Sequence, residues 1–121
     1  MTIVCVDDHP IMLKGLYQSI KSLFPDADIN VFESSDEAYG FAKSWGCDVL
    51  ISEIELRGID GITLANKIKD INPEVNIIFL TVCDEKEHAR EVLKIKPSGY
   101  IVKPAGVDQL KNELSNLRYH A

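Results

Sequence analysis

The sequence predicts an α/β fold, a (βα)5 chain in which five parallel strands in the order 2-1-3-4-5 carry helices on both faces. Two observations carry this reading. Short apolar runs alternate about five times with segments of helical period. The central runs "TIVCV", "DVLIS" and "NIIFLT" are apolar at successive positions, the pattern of strands buried on both faces in a parallel sheet. A length of 121 residues suits one domain with a real core.

"TIVCV" opens the chain as a strand and ends in Asp7 and Asp8. Leu13, Leu16, Ile20 and Leu23 then recur at helical spacing, with Pro10 where a first helical turn tolerates it. "FPDAD" is a turn, and "INVF" is a second strand with Ile29 and Val31 on one face. Ser35 and Asp36 can cap a helix whose stripe is Ala38, Phe41 and Trp45. "DVLIS" is the third strand, "RGIDG" a loop, and Leu64, Ala65, Ile68 and Ile71 form the next helical face, broken by Asn72-Pro73. "NIIFLT" is the most buried strand, and a charged helix follows from about Glu85 to Ile95. "PSG" turns into "YIV" and Lys103-Pro104, and a last helix carrying Val107, Leu110, Leu114 and Leu117 runs to the end without a stop signal.

The composition, 45% hydrophobic and 26% charged, is that of a globular domain. No apolar run approaches the roughly 20 residues of a membrane span, so no membrane insertion is expected. The N-terminus lacks a signal peptide pattern. Cys5, Cys47 and Cys83 share no metal-ligand spacing and sit in or beside apolar runs, which predicts buried reduced thiols. Together these features predict a cytoplasmic protein. The net charge of −6 disfavours direct contact with nucleic acid.

In an open α/β sheet, ligands bind beyond the carboxyl ends of the strands. There the central strands deliver Asp7, Asp8, Glu53, Thr81 and Lys103 to one rim. Crowded carboxylates repel, and a hard divalent cation such as Mg²⁺ relieves the repulsion while keeping several waters. Metal, lysine and hydroxyl together suit the oxygens of a phosphoryl group. Taken singly, each residue has a duller role, as a helix cap, a β-former or a surface lysine.

Over the whole chain the sequence resembles the flavodoxin-like receiver domains of response regulators in bacterial two-component signalling. The resemblance rests on "VDDHP", "DVLISEIELRGIDG", "IIFLT" and "GYIVKP". It implies Asp8 as direct Mg²⁺ ligand, Asp7 as a ligand largely through water, and the Glu53 side chain and the Glu55 backbone carbonyl as the other members of the metal site. It implies Thr81 as the hydroxyl that meets the phosphoryl oxygen, Lys103 as the cation on another oxygen, and Tyr100 as the aromatic that moves with Thr81. The Lys103-Pro104 bond is expected to be cis. His9 and Cys83 border the site without an assigned chemistry.

The family's phosphoacceptor is an aspartate, and counting from Asp48 and from Asp60-Gly61 places it at Glu53. One more methylene moves the attacking oxygen by about 1.5 Å, and a misplacement of that order can cost about a hundredfold in rate. Glu53 is therefore expected to accept phosphate poorly, giving a non-phosphorylatable or phosphomimetic switch rather than an enzyme. The otherwise intact site favours a deliberate Asp→Glu change over a natural variant that keeps its metal. Val82 stands where a smaller residue is usual and narrows access.

An alternative is a pseudo-receiver that works only as an interaction module. A Mg²⁺ phosphohydrolase would need an aspartate nucleophile, which "EIE" at 53–55 lacks, and no nucleotide-binding glycine loop is present. The implied partners are a histidine kinase and an output domain following residues 1–121, with a homodimer through the face of the fourth helix, fifth strand and fifth helix. His88, Arg90, Glu91, Lys94, Tyr100, Lys111 and Glu113 belong to that face.

Overall fold

The computed structural model describes residues 1–104 and 106–119. The elements in chain order are β1 (Thr2–Val6), α1 (Pro10–Leu23), β2 (Asp28–Phe32), α2 (Ser35–Trp45), β3 (Val49–Ser52), α3 (Gly61–Ile71), β4 (Asn76–Thr81), a 3-10 turn (Glu85–His88), α4 (Ala89–Ile95), β5 (Gly99–Val102) and α5 (Val107–Ser115). The strands form one parallel sheet in the order β2-β1-β3-β4-β5, as the sequence predicts.

Alternation along the strands divides the core in two. Ile3, Cys5, Val49, Ile51, Ile78, Leu80 and Ile101 face α1 and α5, where Leu13, Ile20, Leu110 and Leu114 meet them. Val4, Val6, Leu50, Ile77 and Phe79 face α2, α3 and α4, through Ala38, Ala42, Leu64, Ala65, Ile68 and Ile95. Every residue of β3 and β4 is buried, so these strands need apolar side chains on both faces. β2 lies at the edge, and Val31, on one face of the strand with Ile29, is 39% exposed.

Local corrections follow from packing. The cap of α2 is Ser34, whose hydroxyl accepts from the Glu37 amide, rather than Ser35 or Asp36. Ser35 is buried and donates to the Ile59 carbonyl at 2.8 Å. This frame turns Ala38 and Ala42 inward, half-buries Phe41 and leaves Trp45 75% exposed. The segment expected as one charged helix from Glu85 to Ile95 divides into the 3-10 turn and α4. Its only buried residue is Ile95, so packing gives the first turn little reason to continue as α-helix.

α5 ends at Ser115, short of the continuous helix that the sequence predicts. Leu117 still packs against the α1/α5 core. The following backbone is bound under the sheet instead, with the Tyr119 amide donating to Asn76 Oδ1 at 2.7 Å and the Arg118 amide to Ser98 Oγ at 3.3 Å. The expectation for His120 and Ala121 lies outside the described residues. Cys5, Cys47 and Cys83 are buried free thiols.

Trp45 is the sole tryptophan, which makes its exposure easy to check. Native emission should sit close to that of the urea-unfolded chain, and Trp45→Ala should cost under about 1 kcal/mol. Ile68→Ala, at a fully buried position, should cost about 2–5 kcal/mol in urea unfolding. A blue-shifted native emission would contradict this placement of α2.

Candidate functional site

The chain runs from β1 out to β2 and returns past β1 to β3, so the strand order reverses between β1 and β3. Crevices form at such switch points. Val6 pairs with Ser52 across it, which sets Asp7 and Glu53 side by side immediately beyond the two strand ends. The Glu53 amide donates to the Val6 carbonyl at 3.0 Å, extending the pairing to the rim. Thr81 pairs with Val102, so Lys103 follows at the same level, with its amide on the Thr81 carbonyl at 2.8 Å. The Lys103-Pro104 bond is cis, as expected.

Lys103 is the electrostatic centre of the site. Its ammonium donates to Asp7 Oδ2 at 2.6 Å and to Glu53 Oε1 at 3.2 Å. All three side chains are nearly removed from water, at 10%, 6% and 2% exposure. Burial by itself lowers the lysine's pKa, but the hydrogen bond and charge of Asp7, followed by the charge and hydrogen bond of Glu53, outweigh it and leave the pKa raised. Lys103 is therefore an ammonium throughout the neutral range.

The Glu53 carboxylate is held on several sides. Oε2 accepts from the Ile54 amide at 2.7 Å, and Oε1 accepts from the Val82 amide at 3.2 Å as well as from Lys103. Behind it the chain is drawn close by Gly61, whose amide donates to the Ile54 carbonyl at 2.8 Å. A Cβ on Gly61 would fall on the Glu53 carbonyl oxygen. Asp60 caps α3 by accepting from the Thr63 amide at 2.8 Å. The Asp-Gly pair thus fixes the loop that presents residue 53.

The other carboxylate oxygens belong to the acidic pair after β1. Asp7 Oδ1 accepts from the His9 amide at 3.0 Å and lies 2.9 Å from His9 Nδ1. Asp8 Oδ2 lies 3.7 Å from Arg57 Nε. Asp8 Oδ1 is buried and has no hydrogen-bond partner among the described residues; His9 Nδ1 lies 3.2 Å away but off hydrogen-bond geometry. A buried orphaned carboxylate oxygen is what a hard cation would satisfy. Asp8 also shares a shallow cleft with Glu55, Arg57 and His88. The donor set at this end of the rim fits Mg²⁺.

Thr81 and Tyr100 belong to the neighbouring loop. The Thr81 hydroxyl, fully buried, accepts from the Cys83 amide at 3.1 Å. Tyr100 packs on Phe79, with ring centroids 6.0 Å apart, and its hydroxyl donates to the Cys83 carbonyl at 2.9 Å. Burial, followed by the charges of Cys83 and the nearby acids, pushes the Tyr100 pKa up to about 12. The Val82 side chain stands 59% exposed at the rim.

Of the anticipated residues, the fold brings Asp7, Glu53 and Lys103 into direct contact and sets Asp8 and Glu55 on one cleft. Thr81 and Tyr100 instead share Cys83. Three contributions were not legible as roles: His9 and Arg57 beside the aspartates, and the Val82 amide on Glu53. The only sequence signal for His9 is its position directly after the acidic pair. On the expected partner face, Arg90, Glu91, Lys94 and Lys111 are exposed, while His88, Tyr100 and Glu113 are half-buried.

Replacing Lys103 with Met should leave Asp7 and Glu53 buried without their cation and cost about 3–5 kcal/mol at pH 7. The pH dependence has a definite sign. A lysine pKa raised in the fold adds stability that is complete below the unfolded value of 10.5 and is lost as pH rises through the folded value. Urea unfolding should show a stability gap between parent and Lys103→Met that is flat from pH 7 to 9 and narrows above 10.5. A gap that widens with pH would remove Lys103 from the network.

A family model described as the response regulator receiver domain matches residues 3–115. The chain is 34% identical over 113 residues to the oxygen regulatory protein NreC of Staphylococcus aureus, covering 91% of this chain and 51% of that protein. The chain thus spans about half the length of the curated relatives it matches. Among solved structures, a CheY-like receiver domain protein of Methanospirillum hungatei superposes with a TM-score of 0.86 at 20% identity, covering 94% of this chain and 90% of that one. The isolated receiver domain of RcsB from Salmonella enterica serovar Typhimurium, solved with phosphomimetic BeF3⁻, gives 0.84 at 28% identity, covering 95% and 86%. With that match over nearly its whole length and its acids and lysine gathered at the sheet's switch point, the chain belongs to the response regulator receiver domains of two-component systems.

Proposed function

We propose that this receiver domain is a switch whose phosphoacceptor position is held by Glu53, so that it signals without accepting phosphate. One observation carries the proposal: the Glu53 carboxylate already takes Lys103 and the Val82 amide as donors. A phosphoryl group on a shorter acceptor at this position would need the same donors for its oxygens. The longer side chain reaches them itself. It thereby imitates part of the charge of an acyl phosphate and keeps its own oxygen from attacking a phosphodonor in line.

The imitation is partial. A phosphoryl group presents more charge and three acceptor oxygens, whereas Glu53 has two, and the Thr81 hydroxyl remains on Cys83. The role assigned to Thr81 is to meet the oxygen that Glu53 lacks, and that of Tyr100 is to follow the Cys83 loop. Receiver domains bind Mg²⁺ at their acidic pocket, where it neutralises carboxylate and phosphoryl oxygens. Here Asp8, Asp7 and the Glu55 carbonyl would hold it, supported by the unsatisfied Asp8 Oδ1. Glu53, expected to stand beside the ion, is engaged by Lys103 and two amides, and its part in metal binding is to set the local charge.

Receiver domains act between histidine kinases and output domains. An output domain following residues 1–121 fits the half-length match to full response regulators. Self-association would use α4, β5 and α5, where Leu93 and Val102 are exposed at 73% and 44% among charged residues. Among the described residues no helix is long and apolar enough to cross a membrane; membership of the response regulator receiver family supports a cytoplasmic location.

Incubated with acetyl phosphate and Mg²⁺, the parent should take up no label, and Glu53→Asp should take up hydroxylamine-labile label. Mg²⁺ should shift the amide resonances of residues 7, 8 and 53–55 in the parent, and Asp8→Ala should abolish those shifts. If folded Glu53→Asp stays unlabelled and shows no beryllofluoride response, the disabled-acceptor reading is wrong and an interaction-only module takes its place.

A further inference from the structure

A second set of ligand-type side chains lies one loop away from the acidic rim. Cys83 Sγ, a Glu87 carboxylate oxygen and a His88 ring nitrogen all lie within 4.8 Å of one another. Opposite them, Glu55 reaches across from the loop after β3, and its Oε1 accepts from Cys83 Sγ at 3.4 Å. Two loops that are 28 residues apart in sequence therefore converge on one thiol. The sequence offers little warning, because cysteines compared with one another show no ligand spacing, whereas the partners here are a glutamate and a histidine on the next turn.

We infer that Cys83, Glu87 and His88 form a site for a borderline divalent transition metal, with zinc the best match and the Glu55 carboxylate on Cys83 turning in as a fourth donor. One sulfur, one imidazole nitrogen and one carboxylate oxygen are already gathered, and a side-chain rotation of Glu55 about its contact with Cys83 brings the total to four, the number zinc takes in tetrahedral sites. A thiolate and an imidazole select against Mg²⁺ and Ca²⁺, which prefer all-oxygen surroundings. Binding replaces the thiol proton, which leaves to solvent, and the Cys83 Sγ–Glu55 hydrogen bond gives way to two bonds to one ion. Free, the thiol is kept protonated by burial above all, and next by its hydrogen bond and charge interaction with Glu55. A dication reverses that balance.

The site sits where it would matter to the switch. The Cys83 amide binds the Thr81 hydroxyl and the Cys83 carbonyl binds the Tyr100 hydroxyl. An ion on Cys83 would pin this segment to the loop after β3 and hold Thr81 and Tyr100 in the arrangement described above. The site goes beyond the phosphoacceptor reading and does not depend on it, since neither Glu53 nor a phosphoryl group takes part.

The test is titration of the reduced protein with Co²⁺, an optical substitute for zinc, in the presence of excess Mg²⁺. The expected result is a thiolate-to-cobalt charge-transfer band that saturates at one equivalent and is erased by zinc. Cys83→Ser should abolish the band. His88→Ala and Glu87→Ala should each weaken cobalt binding at least about tenfold, in line with losses seen on removing groups that support metal sites. Asp8→Asn, which removes an acid that lines the same cleft as Glu55 and His88 but is not one of the donors, should leave the band in place. His88→Ala alters a half-exposed side chain and keeps the test decisive if Cys83→Ser fails to fold. Absence of a band in the parent, a band unchanged by His88→Ala, or one lost in Asp8→Asn would overturn the site.

Discussion

One ammonium between two buried carboxylates organises this molecule's rim. Lys103 reaches Asp7 and Glu53 at once, and each of the three would be costly to bury alone. The strand order makes the arrangement available. β1 and β3 are neighbours because the chain reverses direction across the sheet there, and register sets their first residues beyond the ladder together. β5 is two strands away from β3, so the long lysine stem is needed to cross the gap. A shorter cation at position 103 would leave the crossing unfilled.

The same constraint explains why glutamate is tolerated at position 53. Its extra methylene has to be housed in a site nearly closed to water. It is housed because Ile54 and Val82 supply backbone amides and Lys103 supplies charge where the carboxylate ends. The group is thus well satisfied as a ligand of its own site. Under the proposed function those same bonds would remove the freedom a nucleophile needs, so stability and reactivity at this position would oppose each other.

Around that centre the structure is layered by how firmly its parts are held. β3 and β4 are wholly buried. The 3-10 turn and α4 are lightly anchored: the turn buries no residue and α4 buries only Ile95. The loop that leads into this segment is tied to the site by few and specific bonds, namely Thr81 and Tyr100 on the Cys83 backbone and Glu55 on the Cys83 thiol. A lightly packed segment entered through a loop held by a few polar bonds can be shifted by changing one of them, which is the property a switch requires.

Much of this was legible in the sequence. Alternating apolar runs and helical stripes carried the sheet and its helices, because burial on both strand faces demands a pattern that few other folds share. Asp7, Glu53 and Lys103 could be placed on one rim because parallel strands align their carboxyl ends. Local sequence misjudged the cap of α2, the exposure of Trp45, the division of the fourth helix and the end of α5. Each depends on which neighbour a residue meets. Ser35 is drawn inward by the Ile59 carbonyl, and the tail beyond Ser115 by Asn76 and Ser98. Only the tertiary structure decided which donors the carboxylates of the site find and which buried oxygen, on Asp8, finds none among the described residues. Strand pairing is set by a repeating pattern, whereas side-chain partners are set by distances between segments far apart in the chain.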